Sequence, residues 1–121
     1  MANFTDKTPV WALEDTHLDK NGNKKGDPLY DPSTLLIPPG SLSKVTSTMQ
    51  QFWKIKSENY DKLVLFKLGK FYELFYEDAL KAVRICGLKW MGTKMHSGFP
   101  EKSLEKYATE LTKAGEKVVV V

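Results

Sequence analysis

The ten residues FKLGKFYELF, from Phe66 to Phe75, hold the side chains of this sequence with the clearest chemical use. Phe71 and Glu73 are two positions apart, so in an extended strand they project from one face, about 7 Å apart along the chain. Gly69 and Lys70 come just before them, where the chain must turn. The segment therefore predicts an aromatic ring, a carboxylate and a cation together at an exposed edge.

An aromatic wedge beside a hydrogen-bonding carboxylate suits recognition of distorted duplex DNA. An apolar side chain inserted between base steps from the minor groove unstacks them and kinks the duplex, and a weakened site is cheaper to kink. The carboxylate of Glu73 fits there as a hydrogen-bonding partner of a base edge. The same pattern also describes an amphipathic strand with Phe71 in the core and Glu73 in solvent, and it leaves both interpretations open.

The composition limits the classes of function that the chain can have. Its 121 residues make one domain of ordinary size. A net charge of +3 is a mild basic bias, so a nucleic-acid site must be local or shared with other domains. No run approaches the roughly 20 apolar residues of a transmembrane helix, and the opening MANFTDKTPVW has no signal-peptide core. We expect a cytosolic or nuclear address and no membrane association.

Catalytic and metal-binding patterns are weak. His17, His96 and the single Cys86 are too few for a zinc site, and one cysteine forms no internal disulfide. His96 and Ser97 have no third partner for nucleophilic chemistry, so loop packing is the expected role of His96. The chain has no phosphate-binding GxxxxGK[ST] run and no strand-borne pair of carboxylates around Glu73 for metal-dependent cleavage. We expect no enzyme, metal or cofactor in this chain.

The apolar periodicity predicts alternating helices and strands. The continuous apolar run from Leu63 to Phe66 predicts a strand covered on both faces, and Ser47 and Gln50 have the spacing of a capping box. Predicted strands cover 62–68, 71–75, 88–91 and 117–121, and predicted helices cover 47–58, Glu77 to Gly87 and Pro100 to Gly115. This order predicts the α/β class: a single domain with a mixed β-sheet flanked by helices, preceded by an extended N-terminal arm.

The arm covers residues 1–44 and the α/β domain residues 45–121. The arm is rich in proline, and its polar run at 19–26 has two glycines, three lysines and nothing to bury, which predicts a flexible loop. The four valines 118–121 predict a terminal strand that belongs to a longer protein. The apolar stripes pair within one unit, so we expect this fragment to be monomeric.

The sequence resembles domain I of the MutS family, the mismatch-binding domain of DNA repair proteins. FKLGKFYELFYEDA resembles the signature of that domain, and the family's Phe-x-Glu motif falls on Phe71 and Glu73. TSTMQQFWKIKSENYD is similar to the preceding helix, and HSGFPEKSLEKYATELTKAGEKVVVV to the final helix and strand. The arm segments PVWALED and YDPSTLLIPPGSL resemble those before domain I in the eukaryotic homologue-six branch, so the likeness covers most of 9–121.

The resemblance implies roles for individual residues and partners for the whole protein. Phe71 is expected to stack on a mispaired base from the minor groove and Glu73 to hydrogen-bond that base. Backbone or flanking DNA contacts are expected from Lys67, Gly69, Lys70 and Lys94. The full-length protein is expected in the nucleus, with an ATPase domain that binds ATP and Mg, absent here, and a second MutS homologue as heterodimer partner.

A protein-interaction domain that kept this fold and lost DNA contact is the alternative. The exposure of Phe71 separates the two, because a buried Phe71 favours the interaction domain and an exposed one favours DNA.

Overall fold

A computed structural model describes residues 4–121 of the chain. Three α-helices and four strands account for most of the regular structure, with a short 3₁₀ turn at Val10–Ala12 and another at Glu101–Ser103. In chain order the elements are α1 (Ser47–Ser57), β1 (Lys62–Leu68), β2 (Phe71–Phe75), α2 (Tyr76–Cys86), β3 (His96–Pro100), α3 (Leu104–Lys113) and β4 (Lys117–Val120). The predicted α/β class is confirmed, and β1 and β2 have the predicted bounds. Among residues 4–121, no helix has both the length and the apolar character needed to cross a membrane.

The four strands form one mixed sheet in the order β3-β2-β1-β4. Strand β2 is antiparallel to both of its neighbours, β1 and β3. Glu73, in the middle of β2, lies opposite Phe66 of β1 on one side and Gly98 of β3 on the other. This register decides which side chains share a face with Phe71.

The hydrophobic core lies between one face of the sheet and the helices α2 and α3. The segment from Leu63 to Phe66 is buried throughout, as its continuous apolar run predicts. The buried core cluster consists of Leu63, Leu65, Leu74, Ala79, Ala82, Phe99 and Leu111. Burying each of its large aliphatic or aromatic side chains stabilises the fold by roughly 1.5–3 kcal/mol, which fixes β2 in its central position.

The predicted strand at 88–91 is wrong, and the third strand of the sheet is His96–Pro100 instead. In the strand, Ser97 and Phe99 point inward and are fully or almost fully buried. Gly98 and Pro100 disfavour strand structure in general, but here the strand lies at the sheet edge, where missing side chains and missing N–H groups are tolerated. Residues 88–91 lie beside this strand, and the amide of Met91 donates a backbone hydrogen bond to the carbonyl of His96 at 2.8 Å.

Helix α1 begins at Ser47 as predicted, but Ser47 and Gln50 do not form the capping box that their spacing indicates. The N-cap is Thr46, whose hydroxyl oxygen accepts the amide of Met49 at 3.2 Å. The side chain of Gln50 instead donates to the carbonyls of Leu42 and Val45, both at 3.3 Å. Helix α2 stops where predicted, at Gly87, which takes the left-handed conformation with φ of +68°.

Contacts between residues divide the chain into two units, each packed within itself. One unit is Pro9–Lys62, and the other is Leu63–Val121 together with the described residues up to Thr8. In the first unit the arm packs on α1: the rings of Trp11 and Trp53 lie 4.7 Å apart. This division by packing falls at a different position from the predicted sequence boundary between residues 44 and 45.

The run at 19–26 does have something to bury, contrary to the sequence interpretation. Asp19 is completely buried, and its carboxylate accepts the backbone amides of Asn21, Asn23 and Asp31 at 2.8–2.9 Å. Desolvation works against the charge, but these hydrogen bonds outweigh it and hold the pKa of Asp19 below its usual value. The loop is therefore built around a buried carboxylate, which composition alone does not reveal.

Candidate nucleic-acid interface

A two-residue turn at Gly69 and Lys70 joins β1 to β2 and places Phe71 at the end of a hairpin. Leu68 and Phe71 are the last register pair before the turn. Gly69 has φ of +59°, and a left-handed first turn residue is typical of tight hairpins whose twist matches the strands. Glycine takes this conformation without steric cost, so the sequence Gly69-Lys70 sets where the hairpin ends.

Phe71 is exposed at the tip of this hairpin. Its relative exposure is 39%, whereas the other phenylalanines of the sheet, Phe66, Phe75 and Phe99, are 9% exposed or less. Its register partner in β3 is Pro100, the last residue of that strand. The core interpretation of Phe71 is therefore wrong, and the ring is available to a ligand.

Glu73 lies on the same face as Phe71, one register step further into the sheet. Its side chain is only 16% exposed, and its Oε1 is hydrogen-bonded to Nε2 of His96. The fully solvated carboxylate of the alternative interpretation is thus not what the structure shows. We name this surface, formed by Phe71, Glu73, Phe75 and their register partners, the Phe71 face.

His96 is the residue of this site that the sequence interpretation missed. It begins β3, lies opposite Phe75 in the register, and stacks on that ring with centroids 5.2 Å apart and planes 9° apart. The sequence interpretation assigned His96 to turn or loop packing because His96 and Ser97 have no third partner for nucleophilic chemistry. In the structure Ser97 and Phe99 are buried on one face of β3, and this alternation places His96 on the opposite face with Glu73.

The lysines expected to touch DNA do not all lie near Phe71. Lys70 is exposed in the hairpin turn next to Phe71. Lys67 lies opposite Tyr72 in the register, so its side chain leaves the other face of the sheet. Its Nζ lies 2.8 Å from Oε2 of Glu101, and this hydrogen-bonded ion pair raises the pKa of Lys67. The turn therefore brings Gly69 and Lys70 to Phe71, but not Lys67.

Lys94 lies at the other end of the Phe71 face. It comes two residues before His96, which pairs with Phe75 at the far end of β2. Phe71 and Phe75, the two ends of β2, are four residues apart, which is about 13 Å at the rise of an extended strand. Lys94 is exposed and forms an isolated bridge with Asp6. Exposed cations thus flank the face at both ends.

The N-terminal residues of the described chain hold the loop that precedes β3. The amide of Thr5 donates to the carbonyl of Thr93 at 2.8 Å, and the hydroxyl of Tyr76 donates to the carboxylate of Asp6 at 2.8 Å. Tyr76 has φ of +57°, a strained conformation for a residue other than glycine. Burial and the contact with Asp6 both raise the pKa of Tyr76, so the phenol stays neutral and remains a donor.

Two observations concern the possible metal ligands and the single thiol of the chain. In residues 4–121, no group of three or more His, Cys, Asp or Glu is placed to hold a metal ion. Burial, together with a hydrogen bond involving Glu110, raises the pKa of Cys86 to about 11. The thiol is therefore protonated at neutral pH and packs as a small apolar group.

A family profile and several curated relatives are similar to this chain. Residues 46–121 match the family profile of MutS domain I. The chain is 40% identical over 116 residues to the DNA mismatch repair protein Msh6 of Homo sapiens, covering 95% of this chain and 8% of the relative. It is 38% identical over 112 residues to the Msh6 protein of Gallus gallus, covering 92% and 8% respectively.

A third relative extends the comparison to insects. The probable DNA mismatch repair protein Msh6 of Drosophila melanogaster is 44% identical over 104 residues, covering 85% of this chain and 9% of the relative. The chain therefore spans less than a tenth of the length of these curated relatives. The profile match contains the whole hairpin, Phe71, Glu73 and His96.

Proposed function

Because the chain belongs to the MutS family and is Msh6-like, we propose that it recognises mispaired or looped-out bases in duplex DNA during mismatch repair. Its relatives are named as DNA mismatch repair proteins. In this proposal Phe71 inserts at the mispair from the minor groove and stacks on a base, and Glu73 hydrogen-bonds the same base.

The observation that carries this proposal is the exposed aromatic ring at the end of a rigid hairpin. Phe71 is 39% exposed and follows a tight turn, so its backbone is fixed before any ligand arrives. A ring held in this way suits insertion between base steps, where an apolar wedge unstacks and kinks the duplex. Stacking on a base contributes about 1–3 kcal/mol.

The position of Glu73 fits a contact with one base. It is on the face of Phe71, in the next position that alternation allows, and it is recessed. A base pushed out of the stack by the ring meets the carboxyl, whereas phosphates at the groove edge stay further away. A buried hydrogen bond to a charged group contributes about 1.5–3 kcal/mol.

The exposed cations supply contacts to the DNA backbone in this proposal. Lys70 and Lys94, at the two ends of the Phe71 face, neutralise phosphates without reading sequence. Gly69 allows the backbone of the turn to approach the duplex closely. A contact from Lys67 requires its ion pair with Glu101 to exchange for a phosphate.

We extend the proposal to the full-length protein on the basis of the family. It carries an ATPase domain that uses ATP and Mg outside this chain, pairs with a second MutS homologue and acts in the nucleus. The present chain supplies mismatch recognition and needs no cofactor for it.

The test is Phe71→Ala in the full-length protein with its partner subunit, with binding measured to matched and mismatched duplexes. We expect the preference for the mismatch to fall by about tenfold or more, because the stacking contribution is lost. Binding to matched duplex and its salt dependence are expected to hold, since no cation is removed.

The matched control is Ile85→Ala. Ile85 is 36% exposed, close to the value for Phe71, but it lies on α2, which packs on the opposite face of the sheet. This control is expected to leave the preference intact. If Phe71→Ala keeps full mismatch preference, Phe71 is not the wedge and the proposal is wrong.

A further inference from the structure

The contact between Glu73 and His96 has no part in the function proposed so far. Nε2 of His96 is hydrogen-bonded to Oε1 of Glu73, and the two side chains are 24% and 16% exposed. Among residues 4–121, neither the side chain of Glu73 nor that of His96 makes a second hydrogen bond. The bond between them joins β2 to β3 on the Phe71 face, two positions from Phe71.

The imidazole of His96 is held on two sides. Its ring stacks on Phe75, with planes 9° apart, and Phe75 itself packs edge-on against Phe66. The carbonyl of His96 accepts the amide of Met91 at 2.8 Å, which fixes the start of β3. The Nε2 atom therefore has a defined position relative to the sheet.

Gly98 leaves room for the side chain of Glu73 to reach His96. It lies directly opposite Glu73 in the register. A Cβ atom at this position would lie 3.3 Å from Cα and 3.4 Å from Cγ of Glu73, and only 2.6 Å from the carbonyl oxygen of Tyr72. A larger residue at Gly98 would displace the chain that carries Glu73.

The hydrogen bond makes the two oxygens of Glu73 different. A carboxylate only accepts hydrogen bonds, so Nε2 of His96 is the donor and Oε1 is occupied. The other oxygen, Oε2, is left for an external partner. Oε2 is therefore the oxygen of Glu73 that a base meets.

We propose that His96 is a positioning residue for mismatch recognition, which orients Glu73 so that Oε2 alone faces the base. This inference rests on the proposed function, in which Glu73 contacts the mispaired base. Without His96 the carboxylate keeps its charge but loses its fixed orientation, and the cost of ordering it is subtracted from the base contact. His96 itself does not touch DNA in this proposal.

The first arm of the test compares His96→Phe with Glu73→Ala in the full-length protein with its partner subunit. Phenylalanine keeps the ring stacked on Phe75 and removes the donor. We expect His96→Phe to lower the ratio of mismatched to matched binding by about fivefold, the equivalent of a hydrogen bond of ~1 kcal/mol. In the double variant with Glu73→Ala, His96→Phe should have no further effect, because it acts through Glu73.

The second arm uses two amides that differ in reach. His96→Gln places an amide N–H near the position of Nε2 and is expected to restore most of the ratio. His96→Asn has the same polarity but a side chain that is too short, and is expected to behave like His96→Phe. This pair decides the question even if the phenylalanine variant fails to fold, and thermal melting of each variant monitors folding.

The outcomes separate this inference from the proposed function. If Glu73→Ala lowers the ratio while His96→Phe and His96→Asn leave it unchanged, His96 does not position Glu73 and only this inference is wrong. If His96→Phe lowers the ratio further in the Glu73→Ala background, His96 acts on DNA directly and the inference is also wrong. If Glu73→Ala has no effect on the ratio, the base contact of the proposed function is wrong, and this inference falls with it.

Discussion

At the scale of single residues, the charge of Glu73 and the hydrogen bond that we propose it makes to a base have opposite consequences for DNA binding. In the proposed function, the carboxylate repels phosphates on any duplex, but it offers a hydrogen bond only where a base is displaced. Removing it should therefore help matched DNA and harm the selection of mismatches. The recessed position of Glu73, 16% exposed, reduces the repulsion without abolishing it.

We predict that Glu73→Ala in the full-length protein raises matched-duplex binding by about twofold to fivefold, the range of a partly screened charge. The ratio of mismatched to matched binding should fall at the same time. Glu105→Ala is the control, since it removes an exposed acidic side chain from α3, on the other face of the sheet. Equal effects of the two variants on the ratio would show that net charge alone is involved.

The sequence predicts the position of a side chain well when its neighbours in the structure are also its neighbours along the chain. Phe71 and Glu73 share a face because strands alternate, and two positions of sequence are enough to say so. His96 is 23 positions from Glu73, and their contact exists only because β3 pairs with β2 in one register. A one-residue slip would turn His96 into the core, so no local pattern could predict the pair.

At the scale of elements, the sequence predicts strands correctly where the apolar run is strong. Where the run is weak, it predicts a strand at 88–91 instead of at His96–Pro100. The runs of β1 and β2 have many β-prone residues and gave the observed bounds. Residues 88–91 have a better strand composition than His96–Pro100, but they contribute little to the sheet. What selects β3 is the burial of Ser97 and Phe99 against the core, a tertiary effect that outweighs local propensity.

The polar loop at 19–26 is a second case in which local composition does not predict the structure. Its composition is typical of disorder, yet the carboxylate of Asp19 accepts hydrogen bonds from the amides of Asn21, Asn23 and Asp31. We predict that these amides exchange slowly in the wild type, and that Asp19→Ala accelerates their exchange by about an order of magnitude or more, since their acceptor is lost. Hydrogen exchange read by NMR checks this. The control, Asp27→Ala, alters an exposed carboxylate of the same loop region that accepts the amide of Leu29 at 3.0 Å.

The loop should also depend on pH in one direction. The folded pKa of Asp19 lies below its ordinary value of 3.8, so its charge stabilises the fold above that value. This contribution is lost as the pH falls through the depressed folded pKa. Protection of the three amides should accordingly hold at neutral pH and decline only below about pH 4. Fast exchange of these amides at neutral pH would show that the buried carboxylate does not order the loop.

At the scale of the whole molecule, the proposed DNA contact depends on one exposed aromatic ring, Phe71, and few cations. The net charge is +3, and the exposed lysines of the Phe71 face, Lys70 and Lys94, are placed at its two ends. Kinking the duplex costs on the order of a few kcal/mol, which is comparable to the 1–3 kcal/mol that one stacked ring returns. The balance leaves little free energy for selective binding by these 121 residues alone.

We therefore predict that the isolated chain binds DNA weakly and with little mismatch preference. Two or three phosphate contacts give a slope of about −2 to −3 for the logarithm of the association constant against the logarithm of salt concentration. Titration of labelled mismatched and matched duplexes at several salt concentrations measures both quantities, and Lys70→Ala should reduce the slope by about one. Since the chain spans 8% to 9% of its relatives, further phosphate contacts from the rest of such a protein would make up the deficit. Nanomolar, mismatch-selective binding by the isolated chain would show instead that the hairpin and its lysines suffice for both affinity and selection.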